Sequence, residues 1–326
     1  MSSRLLTSCA ILTCVGLGIG MTLPAHAKVA GGKPVSLVVS YPVGGGADLM
    51  ARLIAPRISE ALGQTVIVEN KPGAGGQVAG AHVAKAAPDG ATLLFDASSY
   101  AVTPSLYPRM SYDPAKSFTP IAVLALFPNV LVAHPPFPAN SVRDVVAAAK
   151  AKPGTVAYAS SGNGSAQHLA GALFEDVTRA DLMHVPYRGG GPAISDVIGG
   201  QVPLFFANLA SSLGQIQNGR LRPMAVTSKK RSAALPNVPT MEEAGVPGYE
   251  VYEWNPVLAP AGIDADTRRQ LIAAIAHAMA APEVQERIRA LGGEPFTGGP
   301  EAADKFLRDQ QQLWGRIVRE RNIKVE

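Results

Sequence analysis

Along the chain, the spacing of hydrophobic and polar positions changes repeatedly between a pattern typical of strands and a pattern typical of helices. Short apolar runs rich in β-branched residues, such as VSLVVSYP (35–42), predict strands. Residues 46–62 instead carry apolar side chains at helical spacing and stop at Gly63, a residue type that commonly ends helices. Further strands are predicted in TVIVEN, ATLLFDAS, TVAYASS, LMHVPY, VPLFFANL and LRPMAVT, with helical segments between them, and residues 264–321 are predicted to be mainly helical.

This alternation predicts an α/β fold. Strands that alternate with helices form a parallel sheet with helices on both faces. The strand–helix pairs are too many for one small sheet, so we expect two α/β lobes.

Glycine-rich stretches stand at three predicted strand-to-helix junctions: YPVGGGADLM (41–50), SSGNGS (160–165) and YRGGG (187–191). Ligands of open α/β sheets bind at the carboxyl ends of strands. Glycine leaves backbone N–H groups accessible, and a helix N-terminus favours negative charge. The loops therefore predict a site for a small phosphate or carboxylate, and a dicarboxylate if the first two loops face each other across a cleft. The alternative is that these glycines serve only tight turns and close packing.

Composition limits the class of protein. The chain has 326 residues, of which 47% are hydrophobic and 17% charged, which suits one large or two medium folded domains. The net charge of +4 is spread along the chain. The one dense basic run, Lys229–Arg231, indicates a solvated loop, and no nucleic-acid partner is expected.

The N-terminus predicts a signal peptide over residues 1–27. Arg4 precedes the apolar run LLTSCAILTCVGLGIGMTL, and AHA (25–27) is a small-residue cleavage site, so we expect cleavage after Ala27 and a periplasmic mature chain. Both cysteines lie in this segment, which leaves the mature chain without a disulfide, a thiolate metal site or a cysteine nucleophile. A lipoprotein signal ending at Cys9 would leave too short an apolar segment. A retained membrane anchor is the other alternative.

The glycine-rich junctions do not match the common enzyme motifs. The dinucleotide fingerprint G-x-G-x-x-G fails after Gly44 and Gly46 because its third position is Leu49, and no phosphate-binding P-loop, G-x-S-x-G or H-E-x-x-H occurs. His168 follows the second loop by one helical turn and is expected to point into the cleft. Asp48, in a first helical turn, either complements the helix dipole or orients bound water.

Longer segments carry a resemblance to a known family. They are YPVGGGADLMARLIAPRISEALGQTVIVENKPGAGGQVAGAHVAKAAPDGATLL, PSLYPRMSYDPAKSFTPIAVL, YASSGNGSAQHLAGALF, VPYRGGGPAISDVIGGQV, GRLRPMAVTSKKRSAALPNVPTMEEAGVPGYEV and LAPAG. In these segments the chain resembles the substrate-binding receptors of tripartite tricarboxylate transporters, also called Bug receptors.

The resemblance implies a periplasmic-binding-protein-like fold of the second class, with two lobes around a ligand cleft. Residues 28–124 with 229–326 would form the first lobe and residues 125–228 the second. Two crossing strands, near PIAVLALFPNVLVAHP and LRPMAVT, would join the lobes. The protein would be a monomer without cofactor or metal.

The resemblance also implies which residues bind the ligand. The loop at 43–48 would hold one carboxylate through backbone N–H groups and water, and the loop at 161–165 would meet the opposite end. The family often has an acidic residue at Ala207 and glycine at Pro256, so this chain is expected to bind an organic acid without an amino group. The predicted ligand-binding residues are Pro42, Val43, Gly44, Gly45, Gly46, Ala47, Asp48, Ser98, Ser99, Ser161, Gly162, Asn163, Gly164, Ser165, His168, Ala207 and Asn208.

The resulting hypothesis is a periplasmic receptor that captures a small carboxylate, a di- or aromatic organic acid, and delivers it to membrane permease subunits. One alternative is an exported hydrolase or isomerase that uses His168 with Asp48 or a loop serine. Another is a receptor that senses the ligand and signals to a membrane partner.

Overall fold

The computed structural model describes residues 28–107, 109–320 and 323. The predicted signal peptide, residues 1–27 with both cysteines, lies outside the described residues. Within the described part of the chain, no helix is both long and apolar enough to cross a membrane.

Strands and helices alternate through most of the chain. The first elements are β1 (Val35–Val39), α1 (Gly46–Leu62), β2 (Val66–Asn70), α2 (Gln77–Ala84), β3 (Thr92–Phe95), α3 (Ser99–Leu106) and β4 (Phe118–Ala133). The middle elements are α4 (Val142–Ala151), β5 (Val156–Ser160), α5 (Ala166–Thr178), β6 (Leu182–Pro186), α6 (Gly190–Ile198), β7 (Leu204–Asn208), α7 (Leu209–Gln217) and β8 (Arg222–Val226). The last elements are β9 (Tyr252–Pro260), α8 (Ala265–Ala280), α9 (Pro282–Ala290), β10 (Glu294–Pro295) and α10 (Gly299–Glu320).

The strands follow the order β2-β1-β3-β9-β4-β7-β5-β6, with β8 and β10 each paired to β4. We call β1–β3 with β9 the first sheet half and β5–β7 with β8 the second. Neighbouring strands are parallel within β2-β1-β3 and within β7-β5-β6. The prediction of a wholly parallel sheet was wrong in the middle, where β4 and β9 run antiparallel to each other and to their outer neighbours. This change of strand direction was not predicted, because β9 was not among the predicted strands.

β4 joins the two sheet halves. Its residues Phe118–Pro128 pair with β9, and Asn129–Ala133 pair with β7. β8 pairs only with the second part of β4. The chain passes from the second sheet half back to the first after β8. Thr227 N donates to Asn129 O, and Val251 N donates to Thr227 O. Val251 lies one residue before β9 begins. The second crossing therefore begins at Thr227, the last residue of LRPMAVT, close to the predicted position.

Helices cover the sheet on both faces, as the alternating pattern predicted. In the first half, Ile54 of α1 and Ile275 of α8 lie in one buried cluster with the strand residue Leu37. A larger buried cluster extends over both halves and includes Trp254 of β9 and Phe174 of α5. The α/β fold class is confirmed, and the folded sheet brings the carboxyl ends of β1 and β2 towards those of β5 and β6.

Candidate functional site

A cleft of about 500 Å³ lies where the two sheet halves face each other. Its walls come from the loops that follow β1, β2, β5 and β6, with Tyr107 added from the end of α3. The lining residues are Ser40, Tyr41, Pro42, Pro72, Gly73, Ala74, Gly75, Gly76, Tyr107, Ser161, Gly162, Asn163, Pro186, Tyr187, Arg188 and Gly189. A molecule in this cleft would contact both halves at once, at the place where open α/β sheets bind ligands.

The first glycine-rich loop contributes Pro42 to the cleft. Gly44 has a φ of 83°, a conformation that suits glycine and that lets its N–H donate to Asp48 Oδ2 at 2.9 Å. Gly45 N donates to Pro42 O at 3.3 Å. Val43 is 67% exposed. Four further predicted residues, Gly44, Gly45, Gly46 and Ala47, also lie outside the cleft lining.

Asp48 is buried beneath this loop rather than exposed to the cleft. Its carboxylate accepts hydrogen bonds from Gly44 N, from Arg52 Nε at 2.9 Å and from Asn70 Nδ2 at 2.9 Å. Burial alone would raise the pKa of Asp48, but these hydrogen bonds hold the pKa below its usual range. The ionised carboxylate therefore fixes the loop to α1 and to the end of β2.

The second loop supplies Ser161, Gly162 and Asn163 to the opposite wall of the cleft. Ser165 caps α5, since its Oγ accepts from the backbone N–H of His168 at 3.2 Å. Gly164 is buried, and its N–H donates to His168 Nδ1 at 3.1 Å. Ser165 and His168 thus organise the loop from behind.

His168 was predicted to point into the cleft, but it is not among the residues that line it. It stacks on His184 at 4.0 Å between ring centroids and lines a second cavity of about 710 Å³. Asn163 and Pro186 line both cavities, so the second cavity adjoins the cleft on the side of the second half. Burial lowers the pKa of His168 to about 4. At neutral pH the imidazole is therefore uncharged and can accept the Gly164 hydrogen bond.

Ser98 and Ser99 follow β3 but lie below the cleft. Both are buried, and Ser99 Oγ donates to Asp96 Oδ1 at 3.2 Å. Asp96 also accepts from Ala97 N at 2.8 Å and from the hydroxyl of Ser40, which itself lines the cleft. Burial raises the pKa of Asp96 to about 6, against the lowering effect of these donors.

Ala207 and Asn208 end β7 under the cleft. Ala207 is fully buried in the apolar cluster of the second half. Asn208 caps α7, since its Oδ1 accepts from Ser211 N at 3.2 Å. A Cβ added to Gly46 would lie 2.9 Å from both Asn208 Oδ1 and Glu253 Oε1, so these two side chains pack directly on the start of α1.

Two cleft loops were missing from the predicted site. The loop at 72–76 follows β2, and three of its glycines and Ala74 have positive φ, with Ala74 at 47°. Its sequence PGAGG was not among the glycine-rich junctions from which the site was predicted. The loop at 186–189 belongs to the YRGGG motif, which was noticed as a helix entry but not assigned to the site. Position after a parallel strand was the signal that would have found both.

The side chains named in the hydrolase or isomerase alternative are placed as follows. None of the described cleft-lining residues is Asp, Glu, His or Cys. Asp48 and His168 have separate hydrogen-bond partners and lie outside the lining. Among the described residues, no group of three or more His, Cys, Asp or Glu side chains could hold a metal ion.

Similar solved structures confirm the predicted periplasmic-binding-protein-like fold. Protein BugT of Bordetella pertussis is 36% identical over 321 residues, which cover 97% of this chain and 98% of that protein. The structure of the periplasmic binding protein BugD is 34% identical with a TM-score of 0.85 and covers 90% of this chain and 99% of its own.

Two similar structures contain organic acids. Rpa4515 of R. palustris with adipate is 35% identical with a TM-score of 0.86, and the match covers 90% of this chain and 98% of that one. MatC of Rhodopseudomonas palustris with bound malate is 30% identical with a TM-score of 0.83, and the match covers 88% of this chain and 98% of that one.

The family model described as "Tripartite tricarboxylate transporter family receptor" matches residues 50–323. This match spans most of the chain and contains all the described secondary structure from within α1 to α10. The protein therefore belongs to the family of tripartite tricarboxylate transporter receptors, whose role is solute binding.

Proposed function

We propose that the protein is a periplasmic receptor that captures a small carboxylate, a di- or aromatic organic acid, and delivers it to membrane permease subunits. The observation that carries this proposal is the cleft itself. Its walls come from strand ends of both sheet halves, so one small ligand can hold the two halves together.

The charge of the lining favours an acid as ligand. Arg188 is the one charged side chain among the described lining residues, and the rest are glycine, proline, alanine, serine, asparagine and tyrosine. Burial raises the pKa of Tyr41 and of Tyr107, so both phenols are neutral hydrogen-bond donors at pH 7. A cleft with hydroxyl, amide and guanidinium donors and no carboxylate suits an anion.

The proposed ligand contacts are the predicted residues that line the cleft: Pro42, Ser161, Gly162 and Asn163. The other predicted residues support them from behind, as Asp48 does for the first loop and His168 for the second. The adipate and malate in two similar structures are both dicarboxylates, which supports this class of ligand.

Residues 28–124 with 229–326 are proposed as one lobe and residues 125–228 as the other. Closure would bend the chain at the two crossings, in β4 and between β8 and β9, where hydrogen-bond partners change from one half to the other. Ligand contacts made only in the closed form would shift the population towards it, and the permease would recognise that form.

Thermal shift tests the proposal directly. The mature chain is screened against mono-, di- and tricarboxylates, both aliphatic and aromatic. A ligand at 100 times its Kd adds about 2.7 kcal/mol to the free energy of unfolding, which raises Tm by roughly 4 °C in a chain of this size. If no organic acid raises Tm, the proposal is wrong.

A receptor acts on its ligand by binding alone. An acid identified by thermal shift should therefore be recovered unchanged after long incubation with the protein, as measured by NMR of the solution. Formation of a new compound would favour the hydrolase or isomerase alternative. Export is tested by the intact mass of the chain from a periplasmic extract, which should correspond to a start at Lys28.

A further inference from the structure

Arg188 occupies a distinct position in the cleft. It follows β6 in the loop at 186–189, and its side chain is exposed. Among the described residues it makes no ion pair and no side-chain hydrogen bond. Its guanidinium is therefore available to a ligand that enters the cleft.

The backbone on either side of Arg188 is held in place. Tyr187 N donates to Ser160 O at 3.1 Å, and Tyr187 Oη donates to Asp196 Oδ2 at 2.8 Å. On the other side, Gly189 has a φ of 113° and packs so closely on Pro42 that an added Cβ would overlap its ring. Asp196 is engaged by Tyr187, and Pro42 belongs to the first loop. Arg188 is thus carried by an ordered segment at the point where the two halves touch.

We propose that Arg188 binds the second carboxylate of a dicarboxylate ligand and so selects dianions over monoanions. This inference rests on the proposed function. The first carboxylate would use the neutral donors of the loops, and the guanidinium would supply the one full positive charge of the lining. A planar guanidinium binds a carboxylate through two parallel hydrogen bonds, which neutral donors cannot replace.

The experiment measures Kd by calorimetry at pH 7 for two matched pairs of acids: adipate with hexanoate, and terephthalate with benzoate. The proteins are the wild type, Arg188→Gln, Arg188→Lys and the control Arg220→Gln. Arg220 is also exposed but lies outside the cleft, so the control makes the same change in net charge. Circular dichroism and Tm establish that each variant is folded.

Arg188→Gln should weaken binding of the dicarboxylates by roughly tenfold or more and that of the monocarboxylates by less than about twofold. For Arg188→Lys the loss of dicarboxylate affinity should lie between those of the wild type and Arg188→Gln, because lysine keeps the charge but cannot form the two parallel hydrogen bonds. Arg220→Gln should leave all four affinities unchanged.

Three results would overturn the assignment: equal losses for mono- and dicarboxylates, an equal effect of Arg220→Gln, or no loss in Arg188→Gln. Each of them leaves the receptor function standing, since the wild type still binds an acid. If the wild type binds only monocarboxylates, Arg188 has no second carboxylate to select and the inference is again rejected. If the wild type binds none of the four acids and fails the wider thermal-shift screen, the proposed function and the role of Arg188 fall together.

Discussion

Gln167 Nε2 donates a 2.7 Å hydrogen bond to Glu253 Oε2 and thereby connects α5 of the second sheet half to β9 of the first. The same amide lies 3.0 Å from Oδ1 of Asn129, at the point where β4 changes partners. Gln167 is 2% exposed and Glu253 is 7% exposed, so water competes little for these groups. Burial raises the pKa of Glu253, although the hydrogen bonds that it accepts oppose the rise. The three side chains form a polar junction beneath the cleft.

Removing the amide should weaken this junction. Gln167→Leu removes one of the donors to the Glu253 carboxylate and the donor to Asn129 Oδ1, so we expect the free energy of unfolding to fall by about 1–3 kcal/mol. Urea denaturation measures the loss. In a Glu253→Met background the same change should cost less, because one acceptor is already gone. Strict additivity of the two substitutions would show that the contact contributes nothing.

Gly46 should tolerate no side chain. A Cβ at this position meets Asn208 Oδ1 and Glu253 Oε1 at 2.9 Å, so Gly46→Ala is expected to lower the free energy of unfolding by about 1–3 kcal/mol. Gly214→Ala is the matched control, since Gly214 lies on an exposed part of α7 with nothing within 4 Å of an added Cβ. The control should stabilise the protein by roughly 0.5–1 kcal/mol. The prediction fails if both variants behave alike in urea.

Acid should destabilise the protein through His168. Its pKa is lowered by burial from 6.5 to about 4, so the unfolded chain takes up a proton first and stability is lost as pH falls between these values. At about 1.36 kcal/mol per pKa unit, the loss reaches about 3 kcal/mol. His168→Asn keeps an acceptor for Gly164 N and should abolish this part of the pH dependence. Denaturation of the variant and of the control His277→Asn between pH 4 and 7 gives the comparison. An unchanged slope in His168→Asn would contradict the prediction.

Titration of Asp96 should change the stability of the protein with pH in the opposite direction to that of His168. Burial raises its pKa from 3.8 to about 6, so its contribution to stability is full below pH 4 and is lost as pH rises through 6. The change is about 3 kcal/mol by the same conversion. Asp96→Asn should remove it while keeping an oxygen that can accept from Ser40 or Ala97. Unfolding in urea at pH 4 and pH 7 is measured for this variant and for Asp309→Asn, on an exposed part of α10. Persistence of the wild-type difference between the two pH values in Asp96→Asn would rule out this role.

Local sequence patterns accounted for most of the elements. Residues 46–62 form α1 with the predicted bounds, and Gly63 ends the helix with a φ of 60°. The prediction missed α3 and β9. In α3, six of eight residues are buried, so its sequence carries little polar periodicity. All but the first residue of β9 are buried, and two of its residues are prolines. Because these segments bury polar as well as apolar side chains, the exposed polar positions on which a prediction depends are missing.

The α/β fold class and the glycine turns could be predicted from the chain alone, because each depends on residues close together in it, and the candidate site was expected after parallel strands for the same reason. The directions of the side chains became known only from the folded structure. Asp48 meets Asn70, 22 residues away, and Gln167 meets Glu253, 86 residues away. His168 stacks on His184 of a neighbouring strand and is not among the residues that line the cleft, whereas Arg188 is. These side-chain directions follow from packing and hydrogen bonding between distant segments. The periodicity of hydrophobic positions within one segment contains no information about them.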